Sequence, residues 1–161
     1  MIVVSDTSPI LNLRRIGRLE LLGQLYGQVL IPPAVFLELT DKTDARPAMD
    51  VESISWLIIE TPKDRQRVEE LRHTLDAGEA EAIVLALECR ADLLLVDERR
   101  GRRAAEAAGL RITGLLGVLV EAKRSGRIDL VKPVLDDLIQ LARFWIGPEL
   151  YNEVLVQLNE A

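Results

Sequence analysis

Asp6, Glu38, Glu79 and Asp97 are four acids spread over roughly ninety positions of a 161-residue chain. Asp6 follows the apolar run Met1-Ile2-Val3-Val4, and Asp97 follows Leu93-Leu94-Leu95-Val96. Each of the four stands where a strand hands over to a helix, or early in a helix. In an alternating α/β fold the carboxyl ends of the strands line one edge of the sheet, and ligands bind there. Acids far apart in sequence can therefore converge. Converging carboxylates repel one another and are hard to keep ionised unless a cation sits among them. A divalent metal is the economical explanation, and phosphoryl transfer is the chemistry that most often needs one.

The elements that would position these acids follow from the pattern of apolar runs. Strands are expected at Met1–Ser5, Gln28–Ile31, Leu57–Glu60, Asp92–Val96 and Leu110–Thr113. Helical patterns fill Pro9–Tyr26 (interrupted near Gly17), the stretch after Pro32-Pro33, Pro62–Leu75, Glu79–Arg90, Arg99–Ala108, Leu115–Ser125, Asp129–Phe144 and Pro148–Glu160. Pro33 suits a first helical turn. Asp76-Ala77-Gly78 reads as a break between two helices, and Asp41–Pro47 as a polar loop. Strand–helix alternation predicts an α/β fold with a mostly parallel central sheet and helices on both faces. One domain over 1–161 is expected, with 129–161 as a C-terminal helical extension.

Composition narrows the partners. Hydrophobic residues make up 48% and charged ones 29%, a globular balance. Twenty basic and 26 acidic residues give a formal charge of -6, which excludes a broad cationic surface but not a local patch. Aromatics are 4%, so stacking platforms are scarce, and Trp56, Trp145 and Tyr151 read as packing anchors. Cys89 is the only cysteine, so no intrachain disulfide can form, which fits a reducing cytoplasm. No apolar run approaches membrane-spanning length, and Ser5-Asp6 marks the first run as a strand rather than a signal peptide.

Within Glu79–Arg90, Ala80, Ile83, Val84 and Leu87 form a core stripe. Glu81 and Glu88 read as the solvent-facing strip, while Glu79 lies in the first turn, where the helix dipole favours a carboxylate.

Four stretches together resemble one family. They are Ser5-Asp6-Thr7-Ser8-Pro9-Ile10, Ile31-Pro32-Pro33-Ala34-Val35 leading to Glu38-Leu39, Leu75-Asp76-Ala77-Gly78-Glu79-Ala80-Glu81-Ala82-Ile83, and Leu94-Leu95-Val96-Asp97-Glu98-Arg99-Arg100-Gly101-Arg102. In this order and spacing they resemble a PIN-like ribonuclease branch related to toxins of toxin–antitoxin systems. The tail Gly147-Pro148-Glu149-Leu150-Tyr151 is similar to that branch's C-terminal segment. The resemblance implies a three-layer α/β/α fold whose acids, carried onto Asp6, Glu38, Glu79 and Asp97, bind Mg²⁺ or Mn²⁺ and hydrolyse phosphodiesters. It further implies an RNA substrate, a cognate antitoxin and a homodimer. The third acid is more often Asp in the wider family, so Glu79 is a departure.

Each residue also has a plainer reading. Asp6-Thr7-Ser8 could cap the following helix, with Ser8 capping while Asp6 faces a metal. Glu38 alone is a surface acid, and Asp97 could cap the helix that follows. Arg99, Arg100, Arg102 and Arg103 suit a solvated helix face, or phosphate contacts in company with Ser8. A single histidine, His73, argues against a histidine-based zinc site or catalytic triad. A phosphatase that starts with an aspartate after strand one wants a second aspartate where this chain has Ser8. A phosphate-receiving regulator wants an acidic pair at strand one, and a late-strand lysine. A catalytically silent binding module remains the alternative. The last two helices carry apolar stripes, Leu135, Leu138, Ile139 and Ala142 on one and Leu150, Val154 and Leu158 on the next. These either close the core or face a partner.

Overall fold

The computed structural model describes residues 1–41 and 49–161, so most of the polar stretch Asp41–Pro47 lies outside the described residues. Five short strands build one sheet: β1 (Val3–Ser5), β2 (Val29–Ile31), β3 (Leu57–Ile59), β4 (Leu93–Leu95) and β5 (Ile112–Thr113). Their order is β3-β2-β1-β4-β5, and every neighbouring pair is parallel. The register between β1 and β4 pairs Val3 with Leu93, Val4 with Leu94 and Ser5 with Leu95. The ladder runs one step further, because the Asp6 backbone N–H donates to the Leu95 carbonyl at 3.0 Å.

Side chains alternate across the sheet with period two. Val3, Val29, Ile31, Leu93 and Leu95 enter a core with α1 (Thr7–Arg15), α2 (Glu20–Tyr26), α3 (Pro33–Thr40), α7 (Leu115–Arg124), α8 (Val131–Gln140) and α9 (Pro148–Gln157). Val4, Leu94 and Val96 enter the opposite core with α5 (Ala77–Glu88) and α6 (Arg99–Ala107), while α4 (Arg65–Leu71) packs along α5. Both faces are covered, which explains why β1 and β4 read as unbroken apolar runs rather than alternating ones. The result is the three-layer α/β/α arrangement.

Several boundaries have local causes. Pro33 takes the first position of α3. The expected long helix from Pro62 begins only at Arg65, because the Asp64 side chain accepts the Arg67 N–H at 3.1 Å and sets the start there. The break between the two helices ends at Asp76, which is the N-cap of α5, so Ala77 and Gly78 belong to the helix. The helix expected to reach Phe144 stops at Gln140, ahead of Arg143, whose backbone is left-handed at φ 54°.

Leu135, Leu138, Ala142, Val154 and Leu158 are all buried in the chain's own core, so most of both terminal stripes closes the fold. Ile139 and Leu150 stay exposed. The Glu160 carboxylate fastens the tail: it accepts from the backbone N–H groups of Val131 and Lys132 at 2.8 and 2.9 Å and from Lys123 Nζ at 2.7 Å. Among the described residues no helix is long and apolar enough to cross a membrane.

Candidate active site

The sheet order reverses direction between β1 and β4, because the chain steps outward from β1 to β2 and β3, then crosses to the other side for β4 and β5. The crevice beyond the carboxyl ends at such a switch point is where open α/β sheets bind ligands. Asp6 follows β1 directly, and Asp97 and Glu98 follow β4. The first turn of α5 and the middle of α3 close on this crevice.

The contacts made by two glycines place the carboxylates. A Cβ built on Gly78, in α5, would stand 2.8 Å from Glu38 Oε1 and 3.3 Å from Asp6 Oδ1. One built on Gly101, in α6, would stand 2.6 Å from Glu79 Oε2. Asp6, Glu38 and Glu79 are therefore brought to the same edge. Two acids beyond the four singled out in the sequence join them. Asp76, Glu79 and Glu98 each present an oxygen, and these oxygens lie within 4.8 Å of one another. Glu98 stands next to Asp97 in the sequence and was not separated from it. Asp76 carried a legible signal, since an N-cap aspartate followed three residues later by glutamate is a capping box.

That box is formed. Asp76 Oδ1 accepts the Glu79 N–H at 2.8 Å, and Glu79 Oε1 accepts the Asp76 N–H at 3.4 Å. The second oxygen, Glu79 Oε2, is buried with no hydrogen-bond partner among the described residues. A buried carboxylate oxygen without a partner costs free energy and asks for a proton or a cation. Oxygens on neighbouring positions of one Mg²⁺ stand about 3 Å apart, so the three acids would draw in towards one another to share one. The donor set, all oxygen and all carboxylate, is that of a hard divalent cation.

The electrostatics agree. Burial pushes the Asp6 carboxyl up to about 7, with Asp76, Glu38 and Glu98 adding repulsion and the Thr7 backbone offsetting part of it. Glu79 is raised to about 8, first by burial and then by the Asp76 carboxylate beside it. Glu38 is raised by desolvation and by Asp76 and Glu98, partly offset by the Thr7 hydroxyl, which lies outside good hydrogen-bond geometry. These are the shifts of like charges forced together in a dry crevice.

Asp97 stands somewhat apart. Its Oδ1 accepts the Leu115 N–H at 2.9 Å, at the start of α7 rather than of α6, and Oδ2 is buried without a hydrogen-bond partner among the described residues. Burial raises its pKa, while the Leu115 N–H and the Arg102 guanidinium hold it down. A Cβ on Gly114 would meet Asp97 Oδ1 at 2.6 Å and Arg102 Nη1 at 2.7 Å, so that glycine makes room for the pair.

Other residues move from their expected places. Asp6 does not cap α1 through its side chain, and Ser8 sits inside the first turn rather than at the cap. Glu81 is buried and meets Arg65 Nη1 at 3.4 Å, so it is not part of a solvent strip; Glu88 alone is exposed there. Arg99, Arg102 and Arg103 line a cleft of about 680 Å³ beside Asp97, whereas Arg100 Nη1 turns to the Thr74 carbonyl at 3.4 Å. Trp56 does anchor, donating from Nε1 to Glu20 and lying against Gly23. Trp145 does not: it is 84% exposed.

A family model described as a PIN domain matches residues 2–160. No curated protein matches the chain.

Proposed function

The chain belongs to the PIN-domain family, and on that membership and the acid crevice we propose that it is a metal-dependent nuclease cleaving phosphodiester bonds of single-stranded RNA. PIN domains are in general nucleases, and the cluster at the switch point is compatible with metal binding. The observation that carries the reading is the buried Glu79 carboxylate, grouped with Asp76 and Glu98 and with its Oε2 lacking a hydrogen-bond partner among the described residues.

In this reading Asp6, Glu38, Glu79 and Asp97 hold Mg²⁺ or Mn²⁺, with Asp76 and Glu98 as further oxygens at the same edge. When bound, the cation polarises the scissile phosphate and lowers the pKa of an attacking water. The protein's own part is positional. The capping box fixes the Glu79 carboxylate at the helix start. The hydrogen bond from Leu115 fixes Asp97. Arg99, Arg102 and Arg103 supply positive charge beside Asp97 for neighbouring phosphates. Arg100 and Ser8 are further candidates for phosphate contacts.

The finer role is that of the toxin of a toxin–antitoxin pair, acting as a homodimer in the cytoplasm. The resemblance of the motifs supports the toxin role and the dimer. The lone Cys89 supports a reducing compartment.

The test is cleavage of a mixed single-stranded RNA pool with Mn²⁺. Wild type should cut, and chelator or Asp6→Asn should stop it. A wild-type chain that binds Mn²⁺ but cuts no RNA would favour the silent binding module instead.

A further inference from the structure

Trp145 is the most exposed large apolar side chain among the described residues. It stands in the non-helical connection between α8 and α9, and its two neighbours explain how it is held there. Phe144 and Ile146 both pack against the core, and the Phe144 N–H donates to the Leu138 carbonyl at 2.9 Å. Anchoring 144 and 146 therefore turns 145 outward on a backbone fixed from both sides. Pro148 then starts α9 and stiffens the exit.

The indole does not face open solvent alone. It lines the 680 Å³ cleft with Leu150, and the same cleft is lined by Arg99, Arg102 and Arg103, whose three positive charges outnumber the lining acids Asp97 and Glu106. The volume lies in the range of ligand sites. Arg102 is engaged with the Val96 carbonyl at 3.3 Å and with Asp97, which leaves Arg99 and Arg103, both exposed, as the outward cations of this wall. A cationic wall facing an exposed aromatic is the combination that binds single-stranded nucleic acid, the cations tracking phosphates and the ring stacking a base. A chain of net charge -6 that gathers guanidinium groups here selects for a polyanion.

We infer that Trp145 is a base-stacking platform: a single strand crosses this cleft with one base on the indole and its phosphates against Arg99 and Arg103, leading towards Asp97. The inference rests on the nuclease reading for the identity of the strand as RNA substrate. A base seated on a rigid indole fixes the register of the strand, so Trp145 sets which phosphate reaches the acids. Duplex RNA, whose bases are already stacked on one another, is not accommodated in this way.

The experiment uses the full chain with Trp56→Phe, which leaves Trp145 as the only tryptophan. A short mixed-sequence single-stranded RNA is titrated in chelator, so that binding is read without cleavage. Trp145 fluorescence should be quenched on binding, and a duplex of the same sequence should quench little. In the wild-type background Trp145→Ala should weaken single-strand binding roughly 5- to 150-fold, the worth of one stacked base. Trp145→Phe should restore most of it. With Mn²⁺ added, Trp145→Ala should raise KM and largely keep kcat. Unchanged fluorescence on binding, equal quenching by duplex, or wild-type affinity in Trp145→Ala each overturns the platform. Quenching and weakened binding without any cleavage by wild type would leave the platform standing and sink the nuclease reading. Cleavage by wild type and Trp145→Ala with the same KM would do the reverse, and no RNA binding at all would remove both.

Discussion

Glu79 and Gly101 are built around each other: a Cβ on Gly101 would stand 2.6 Å from Glu79 Oε2 and 3.0 Å from Val96 Cγ2. Only a residue without a Cβ lets α6 approach the first turn of α5 this closely. Gly101→Ala should therefore push the Glu79 carboxylate out of place while the helices stay formed. Gly78→Ala should disturb Glu38 and Asp6 in the same way, since its Cβ would meet Glu38 Oε1 at 2.8 Å. Both variants should lose most Mn²⁺-dependent cleavage with unchanged far-ultraviolet circular dichroism. Wild-type rates in both would show that the carboxylates are free to move.

Asp6→Asn and Asp97→Asn should each abolish cleavage. Asp6→Asn should also raise the metal-free melting temperature above neutral pH, because it removes one charge from a repelling group. A gain of roughly 2–4 °C for each kcal/mol recovered is the scale for a chain of this size.

Glu79→Gln should damage activity far more than Glu81→Gln. The latter weakens only the contact with half-exposed Arg65, worth on the order of 1 kcal/mol of stability. Equal loss of activity in the two would place the wrong face of α5 towards the crevice.

Stability of the metal-free chain should fall as pH rises. Asp6 titrates near 7 against an ordinary 3.8, and Glu79 near 8 against 4.5. Between those values the native state holds protons that the unfolded chain has released, so the slope of stability with pH is negative. Mn²⁺ should raise the melting temperature more at pH 8 than at pH 5, with protons released on binding. Thermal melts across that range check the sign, and a slope unchanged by Asp6→Asn would assign the effect elsewhere.

Replacing Arg99 and Arg103 with Ala should lower the salt dependence of single-strand binding by about 1.4 in log–log slope, at roughly 0.7 per phosphate contact. Arg100→Ala should change it less, since that side chain turns to the Thr74 carbonyl. Fluorescence anisotropy over a salt series separates the two outcomes.

Much of this arrangement was legible in the sequence, for a physical reason. Apolar runs ended by an acid, as at Val4 to Asp6 and Val96 to Asp97, mark strands buried on both faces whose ends meet the solvent edge. Their convergence follows from parallel topology alone. Side-chain direction on a nearly all-apolar helix was not legible. Glu81 has few polar neighbours on its wheel, and only the arrival of Arg65 from α4 makes its burial possible. The break before α5 was legible, but its end at Asp76 was less so, because Gly78 in the first turn is a poor helix former. In the sequence Trp145 reads as a packing anchor, like Trp56 and Tyr151. Its exposure is decided by the anchoring of its two neighbours, which needs three dimensions. The apolar repeats of α8 and α9 could not say whether their partner was the same chain.

The placement of β1 at the centre of the sheet bears on when the protein becomes dangerous to its own cell, if it cuts RNA as proposed. Val3–Ser5 leave the ribosome well before their ladder partner Leu93–Leu95, and Gly101 and Gly114 must follow before Glu79 and Asp97 have their surroundings. Parallel pairings this distant close slowly and only after the intervening chain exists. The tail must then bring Glu160 to the start of α8. A polypeptide still being made thus carries Asp6 and Glu38 without the rest of the edge, and the half-synthesised chain is harmless to the message from which it is being translated.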